Sequence, residues 1–166
     1  VRELLIMRHA KSDWGAGGLA DLERPLAPRG AKAAKSMGRA ITRLGSAPDL
    51  VLTSPAVRAR STAELAGRAG GGSAPTAVVE GFYGGGWRDV LDGVVAAGAN
   101  ADRILVVGHE PTWSDLVSVL TGGGRIAMPT GAVACVAVEI DGWPGIGPDR
   151  GELQWHLVPR VLKALG

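Results

Sequence analysis

The sequence predicts an α/β protein: a three-layer α/β/α sandwich around a mostly parallel central sheet, in one domain over residues 1–166. Two observations carry this. Uninterrupted apolar runs at 4–7, 50–52 and 104–107 have the length of strands buried on both faces. Each run is followed by a segment whose apolar residues recur at helical spacing, the alternation that joins parallel strands through crossover helices.

In chain order, residues 3–7 read as the first strand, which ends at Arg8-His9. Gly15, Gly17, Gly18, Pro25 and Pro28 make 10–27 a loop. A helix follows over 29–44, with Ala33, Met37, Ala40, Ile41 and Leu44 on one stripe. Arg29, Lys32, Lys35, Arg39 and Arg43 lie mostly off it, and Gly45 and Pro48 stop it. Residues 50–53 form a second strand. Ser54-Pro55 reads as a helix start, with Ser54 as N-cap and Pro55 in the first turn, and the helix runs to Ala69. A short strand is expected at 76–79, and a helix at 86–97 from Trp87, Val90, Leu91, Val94 and Val95.

The third buried strand, 104–107, leads into Gly108-His109. Pro111 opens a helix carrying Trp113, Leu116, Val117 and Leu120, closed by three glycines from Gly122. Residues 132–140 are nearly all apolar, as in a central strand, and Cys135 within them is a packing residue. Leu153, Trp155 and Leu157 alternate with Glu152, Gln154 and His156, which gives a strand with one wet face and His156 at the surface.

Composition narrows the function. A net charge of +2, with no Lys/Arg block, does not argue for nucleic acid. One cysteine forms no internal disulfide and no cysteine metal cluster, which fits a reducing cytoplasm. The N-terminus lacks the features of a signal peptide, and no apolar run reaches the roughly 18 residues of a membrane span. The glycine clusters do not match G-x-x-x-x-G-K-S/T, which argues against a nucleotide-triphosphate machine.

Three strand ends carry the polar groups that can converge: Arg8-His9, Ser54-Pro55 leading to Arg58, and His109. In open α/β sheets ligands sit past the carboxyl ends of strands. Two guanidinium groups, two imidazoles and the N-termini of two helices favour an anion there. Imidazole can act as a nucleophile on phosphorus, and nearby guanidinium groups lower its pKa, so that it stays neutral at physiological pH.

Arg8-His9 after an apolar strand, Arg58 after Ser54-Pro55, and His109 in Val107-Gly108-His109 resemble the histidine phosphatase superfamily, with its phosphoglycerate mutase-like fold. The short length, Arg8-His9-Ala10-Lys11-Ser12, Arg24-Pro25-Leu26 followed by Gly30, and Gly108-His109-Glu110-Pro111 resemble more narrowly the SixA-type phosphohistidine phosphatases. Ala10 stands where the superfamily commonly has glycine.

The resemblance implies that His9 attacks phosphorus and becomes the phosphohistidine. It implies that Arg8, Arg58 and His109 hold the phosphoryl oxygens, and that Glu80 stands where mutases of the superfamily place their proton donor. It implies no metal and no cofactor. Arg24 either lines the phosphate pocket or pairs with Asp21 or Glu23. Glu110 either touches the pocket through its backbone N–H or favours the helix start. Lys11, Ser12, Asp13 and Trp14 shape specificity or form a lid.

The expected activity is that of a metal-independent phosphatase acting on phosphohistidine of a protein partner. The alternatives are a small-molecule phosphomonoesterase acting on a sugar phosphate or related metabolite, a mutase, and a catalytically silent phosphate-binding module.

Overall fold

The computed structural model describes residues 1–166. Six strands form one sheet: β1 (Arg2–Arg8), β2 (Leu50–Thr53), β3 (Thr76–Val78), β4 (Arg103–Gly108), β5 (Val133–Val138) and β6 (Gly151–Leu157), in the order β3-β2-β4-β1-β5-β6. The four strands from β3 to β1 run parallel. At the other edge β5 is antiparallel to β1, and β6 to β5. The sheet is therefore mixed, with its parallel half where the predicted strand–helix units lie.

Five helices cover it: α1 (Pro28–Arg43), α2 (Val57–Ala69), α3 (Trp87–Ala97), α4 (Thr112–Leu120) and α5 (Pro159–Leu165). Successive strand residues serve opposite layers. Leu4 and Ile6 pack with Val90, Val94, Leu116 and Leu120 of α3 and α4, whereas Leu5 and Met7 pack with Met37, Ile41, Ala63 and Ala66 of α1 and α2. Burial on both faces explains why the strands read as continuous apolar runs rather than alternating ones.

Two expectations change. Ser54 does not cap α2: its N–H still donates to Val107 O at 3.0 Å, so it continues the sheet, and the helix starts at Val57 after Ala56. His156 is half-buried rather than at the surface; burial lowers its pKa, and its Nε2 is buried without a partner. The chain also forms α5, whose seven residues are too few to display a helical period.

Candidate active site

Parallel register aligns the three strand ends. Met7 pairs with Val107, and Val107 with Thr53, in one row across β1, β4 and β2. The residues just beyond that row are Arg8-His9, Gly108-His109 and Ser54. The ladder itself extends to His9, whose N–H donates to Gly108 O at 2.9 Å. The His9 and His109 ring centroids lie 5.2 Å apart.

His9 is 7% exposed. Its Nδ1 lies 2.7 Å from Ala10 O. A carbonyl oxygen only accepts, so Nδ1 carries the proton and Nε2 keeps its lone pair. Burial, and then the His109, Arg58 and Arg8 charges, push the pKa of His9 down to about 3 against the pull of the Ala10 carbonyl. The ring is neutral at physiological pH.

His109 is fixed from both sides. Arg58 Nη2 stands 3.5 Å from Nδ1, and a guanidinium only donates, so Nδ1 accepts. Nε2–H then donates to Ser54 Oγ at 2.7 Å, which also accepts from Ala56 N–H at 3.2 Å. Burial and the Arg58 charge lower the pKa of His109 to about 4.

Arg58, 5% exposed, rises from the first turn of α2. Arg8 donates through Nη1 to Met128 O at 3.1 Å, and burial lowers its pKa against the opposing Glu110 charge. The Nε atoms of both arginines are buried and unpaired.

Asp21 links the arginines. Its carboxylate accepts from Arg58 at 3.0 Å, from Arg24 at 2.9 Å and from the Tyr83 hydroxyl at 2.7 Å. Hydrogen bonds from Arg24, Tyr83 and Arg58 hold its carboxyl far below the usual carboxylate range. Arg24 is buried, donates also to Ser12 Oγ, and stacks on Trp14 at 3.6 Å from the ring centroid. The Tyr83 ring meets His109 edge-on at 5.6 Å.

The remaining expected residues sit apart from these contacts. Glu80 is exposed on a 3-10 turn (Glu80–Phe82), and no hydrogen bond or ion pair joins its side chain to the cluster. Glu110 accepts from Ser114 N–H at 2.7 Å, a helix-start role, and its charge also reaches Arg8. No group of three His, Cys, Asp or Glu side chains is placed to hold a metal ion.

Residues 4–83 match the family model of the histidine phosphatase superfamily, branch 1. An uncharacterized protein of Mycobacterium tuberculosis, Rv1276c, is 37% identical over 164 residues, spanning 93% of this chain and all of that one. The chain belongs to the histidine phosphatase superfamily. It is a phosphatase.

A solved structure from Nakamurella multipartitia, assigned as a phosphohistidine phosphatase SixA, superposes on this phosphatase with a TM-score of 0.81. The two are 29% identical over 95% of this chain and 96% of that one. The protein histidine phosphatase SixA complexed with tungstate gives a TM-score of 0.80 at 24% identity, over 96% of this chain and 99% of that one, a likeness of fold.

Sequence reasoning missed Asp21 as a hub, Tyr83 as its donor and Ser54 as the partner of His109. The only local signal was Asp21 three residues before Arg24, which pointed to a loop ion pair.

Proposed function

We propose that this phosphatase works without a metal through a covalent phosphohistidine on His9, and that its substrate is phosphohistidine on a protein. The His9 ring carries the reading: it is buried, neutral, committed at Nδ1 to Ala10 O, and therefore nucleophilic at Nε2.

In the first step the Nε2 lone pair forms a bond to phosphorus while the bond from phosphorus to the leaving nitrogen breaks; the substrate ring, protonated on its other nitrogen, takes the bonding pair and departs as neutral imidazole. In the second step water attacks phosphorus, the bond to Nε2 breaks, and inorganic phosphate leaves. Arg8 and Arg58 hold the phosphoryl oxygens. Their buried, unpaired Nε atoms are donor capacity that an oxyanion matches. A bound dianion draws a proton to His109, which then donates to phosphoryl oxygen as well as to Ser54.

Arg24, set by Asp21 and Ser12, borders this site, and Glu110 supports the start of α4 behind it. Glu80 protonates leaving groups that are poor enough to need it. Trp14, 73% exposed beside Arg24, gives the rim an aromatic face for a macromolecular substrate. The 29%-identical Nakamurella structure supports the substrate class.

The test is a turnover panel of a phosphohistidine protein, phosphoramidate and sugar phosphates, run with and without EDTA. Phosphohistidine is expected to be turned over fastest, chelator to have no effect, and His9→Ala to remove both turnover and the acid-labile phosphoenzyme. A faster sugar phosphate would assign the protein to small metabolites. Turnover without a phosphoenzyme would reject the covalent mechanism.

A further inference from the structure

The basic residues dispersed along the sequence converge in the fold. A cleft of about 1080 Å³ runs between α1 and α5. Arg29, Lys32, Arg39 and Arg43 line it from one face of α1, and Arg160 and Lys163 from α5. Lys11 also lines it. These are 7 of the chain's 18 lysines and arginines, and no Asp or Glu lines the cleft, although the whole chain carries only +2. None of the seven takes part in an ion pair.

Within α1 the cations repel one another. Arg29 and Lys32 are three residues apart, Arg39 and Arg43 four, and the helix contains no acid to relieve them. No Asp or Glu side chain of the cleft offsets these charges, which leaves them available to an anionic partner.

The cleft adjoins the nucleophile. Lys11 follows His9 by two residues, and α1 is pressed against its backbone: a Cβ on Gly30 would stand 2.0 Å from Lys11 O. Thr130, also on the lining, precedes Gly131, whose N–H donates to His9 O at 3.0 Å.

We propose that the cleft between α1 and α5 docks an acidic face of the protein that carries the phosphohistidine. The proposal rests on the protein-phosphohistidine reading above and adds what recognises the partner. Leu44, Leu157, Leu162 and Leu165 lie among the cations, an apolar component that a protein face can use and a phosphodiester backbone cannot. No aromatic side chain lines the cleft for base stacking, and a flat bilayer does not enter a concavity. Complementary charge of this kind raises encounter rates and fixes orientation, and salt screens it.

Two phosphohistidine peptides of equal length test the idea, one flanked by glutamates and the other by glutamines, with phosphoramidate as a substrate too small to reach the cleft. The acidic peptide is expected to have a KM lower by about tenfold or more, with the gap closing as salt rises from about 50 mM to about 300 mM. Arg39→Glu/Arg43→Glu, and separately Arg160→Glu/Lys163→Glu, should abolish the gap and leave phosphoramidate turnover unchanged.

Equal KM values with the unsubstituted protein, or a gap that survives both variants, would overturn the docking proposal. If neither peptide is turned over while a sugar phosphate is, the phosphohistidine reading fails. Binding of polyglutamate, lost in the same variants, then decides the cleft by itself. Tighter binding of duplex DNA or of phosphatidylserine vesicles than of polyglutamate at matched charge would reject a protein occupant.

Discussion

Asp21 grips Arg58 at both of its terminal nitrogens: the backbone carbonyl accepts from Nη1 at 2.6 Å, and the carboxylate accepts from Nη2 at 3.0 Å. The same Arg58 Nη2 stands 3.5 Å from His109 Nδ1. One loop residue thereby sets the rotation of a guanidinium and, through it, the tautomer of an imidazole. The partner charges make this a positioning device. A carboxyl held so far below its ordinary range has no proton to give.

Asp21→Ala should therefore act on catalysis more than on folding. Freeing the Arg58 fork is expected to lower kcat/KM by about 10–100-fold, the scale of a small misplacement of a catalytic group. Asp21→Asn, which keeps an oxygen acceptor, should fall between. The Asp21 side chain is 49% exposed, so its ion pairs should contribute less than about 1 kcal/mol to stability. Steady-state kinetics alongside urea unfolding checks both. A large stability loss with unchanged kinetics would make Asp21 merely structural.

The buried histidines predict acid sensitivity of the fold. Both titrate below the ordinary value of 6.5, His9 at about 3 and His109 at about 4. Below pH 6.5 the unfolded chain takes up protons that the folded chain refuses. The stability they allow is thus complete above pH 6.5 and is lost as pH falls from there toward 4 and 3, by about 1.4 kcal/mol per pH unit for each ring. Unfolding free energies measured from neutral pH down to about pH 4 should show this slope, and His9→Asn should reduce it. Activity follows the same values: kcat/KM should show no limb from His9 between neutrality and pH 5. An ordinary histidine limb near 6.5 that is lost in His9→Asn would contradict the neutral, buried ring.

What was legible in the sequence was what register decides. Apolar runs ending in Arg8-His9, Ser54 and His109 needed only parallel pairing to come together, and that pairing is present. Strand direction at the far edge was not legible, because the apolar stretch containing β5 reports burial on two faces and not polarity. Ser54 misled because its capping preference is local, whereas the sheet ladder and His109 compete for the same residue. Asp21 lies 37 residues from Arg58 on a loop with no period, so nothing in the chain joined them. The basic cleft was hidden for the same reason: its cations are scattered until α5 folds beside α1.

Gly108 predicts how tightly the site depends on the layer beneath it. A Cβ there would lie 2.1 Å from Cη2 of Trp113, whose indole is fully buried and donates to Val106 O at 3.2 Å. Neither the strand nor the ring has room to give. Gly108→Ala should destabilise by about 1–3 kcal/mol as an overpacked core site. It should also displace His109, so that kcat falls with stability. Thermal unfolding and turnover measured on one preparation test the coupling. Full activity would mean that α4 yields without moving the strand end.

A Glu80→Gln substitution is expected to separate the substrate classes. Glu80 stands exposed on the turn that also supplies Tyr83, close in sequence to the site but joined to it by no hydrogen bond. If its carboxyl protonates an alkoxide, Glu80→Gln should slow turnover of a phosphate ester by about 10²–10⁴, the range of general acid catalysis. The imidazole leaving from phosphohistidine is a better leaving group and needs no such donor, so the loss there should be much smaller. Water activation in the second step would affect both substrates alike, because the proposed phosphoenzyme on His9 would be common to them. A pre-steady-state burst isolates the first step from that shared one. Burst rates lowered equally on ester and phosphohistidine would show that Glu80 is not a donor for alkoxides, and its part would then lie in shaping the turn that holds Tyr83 against Asp21 and His109.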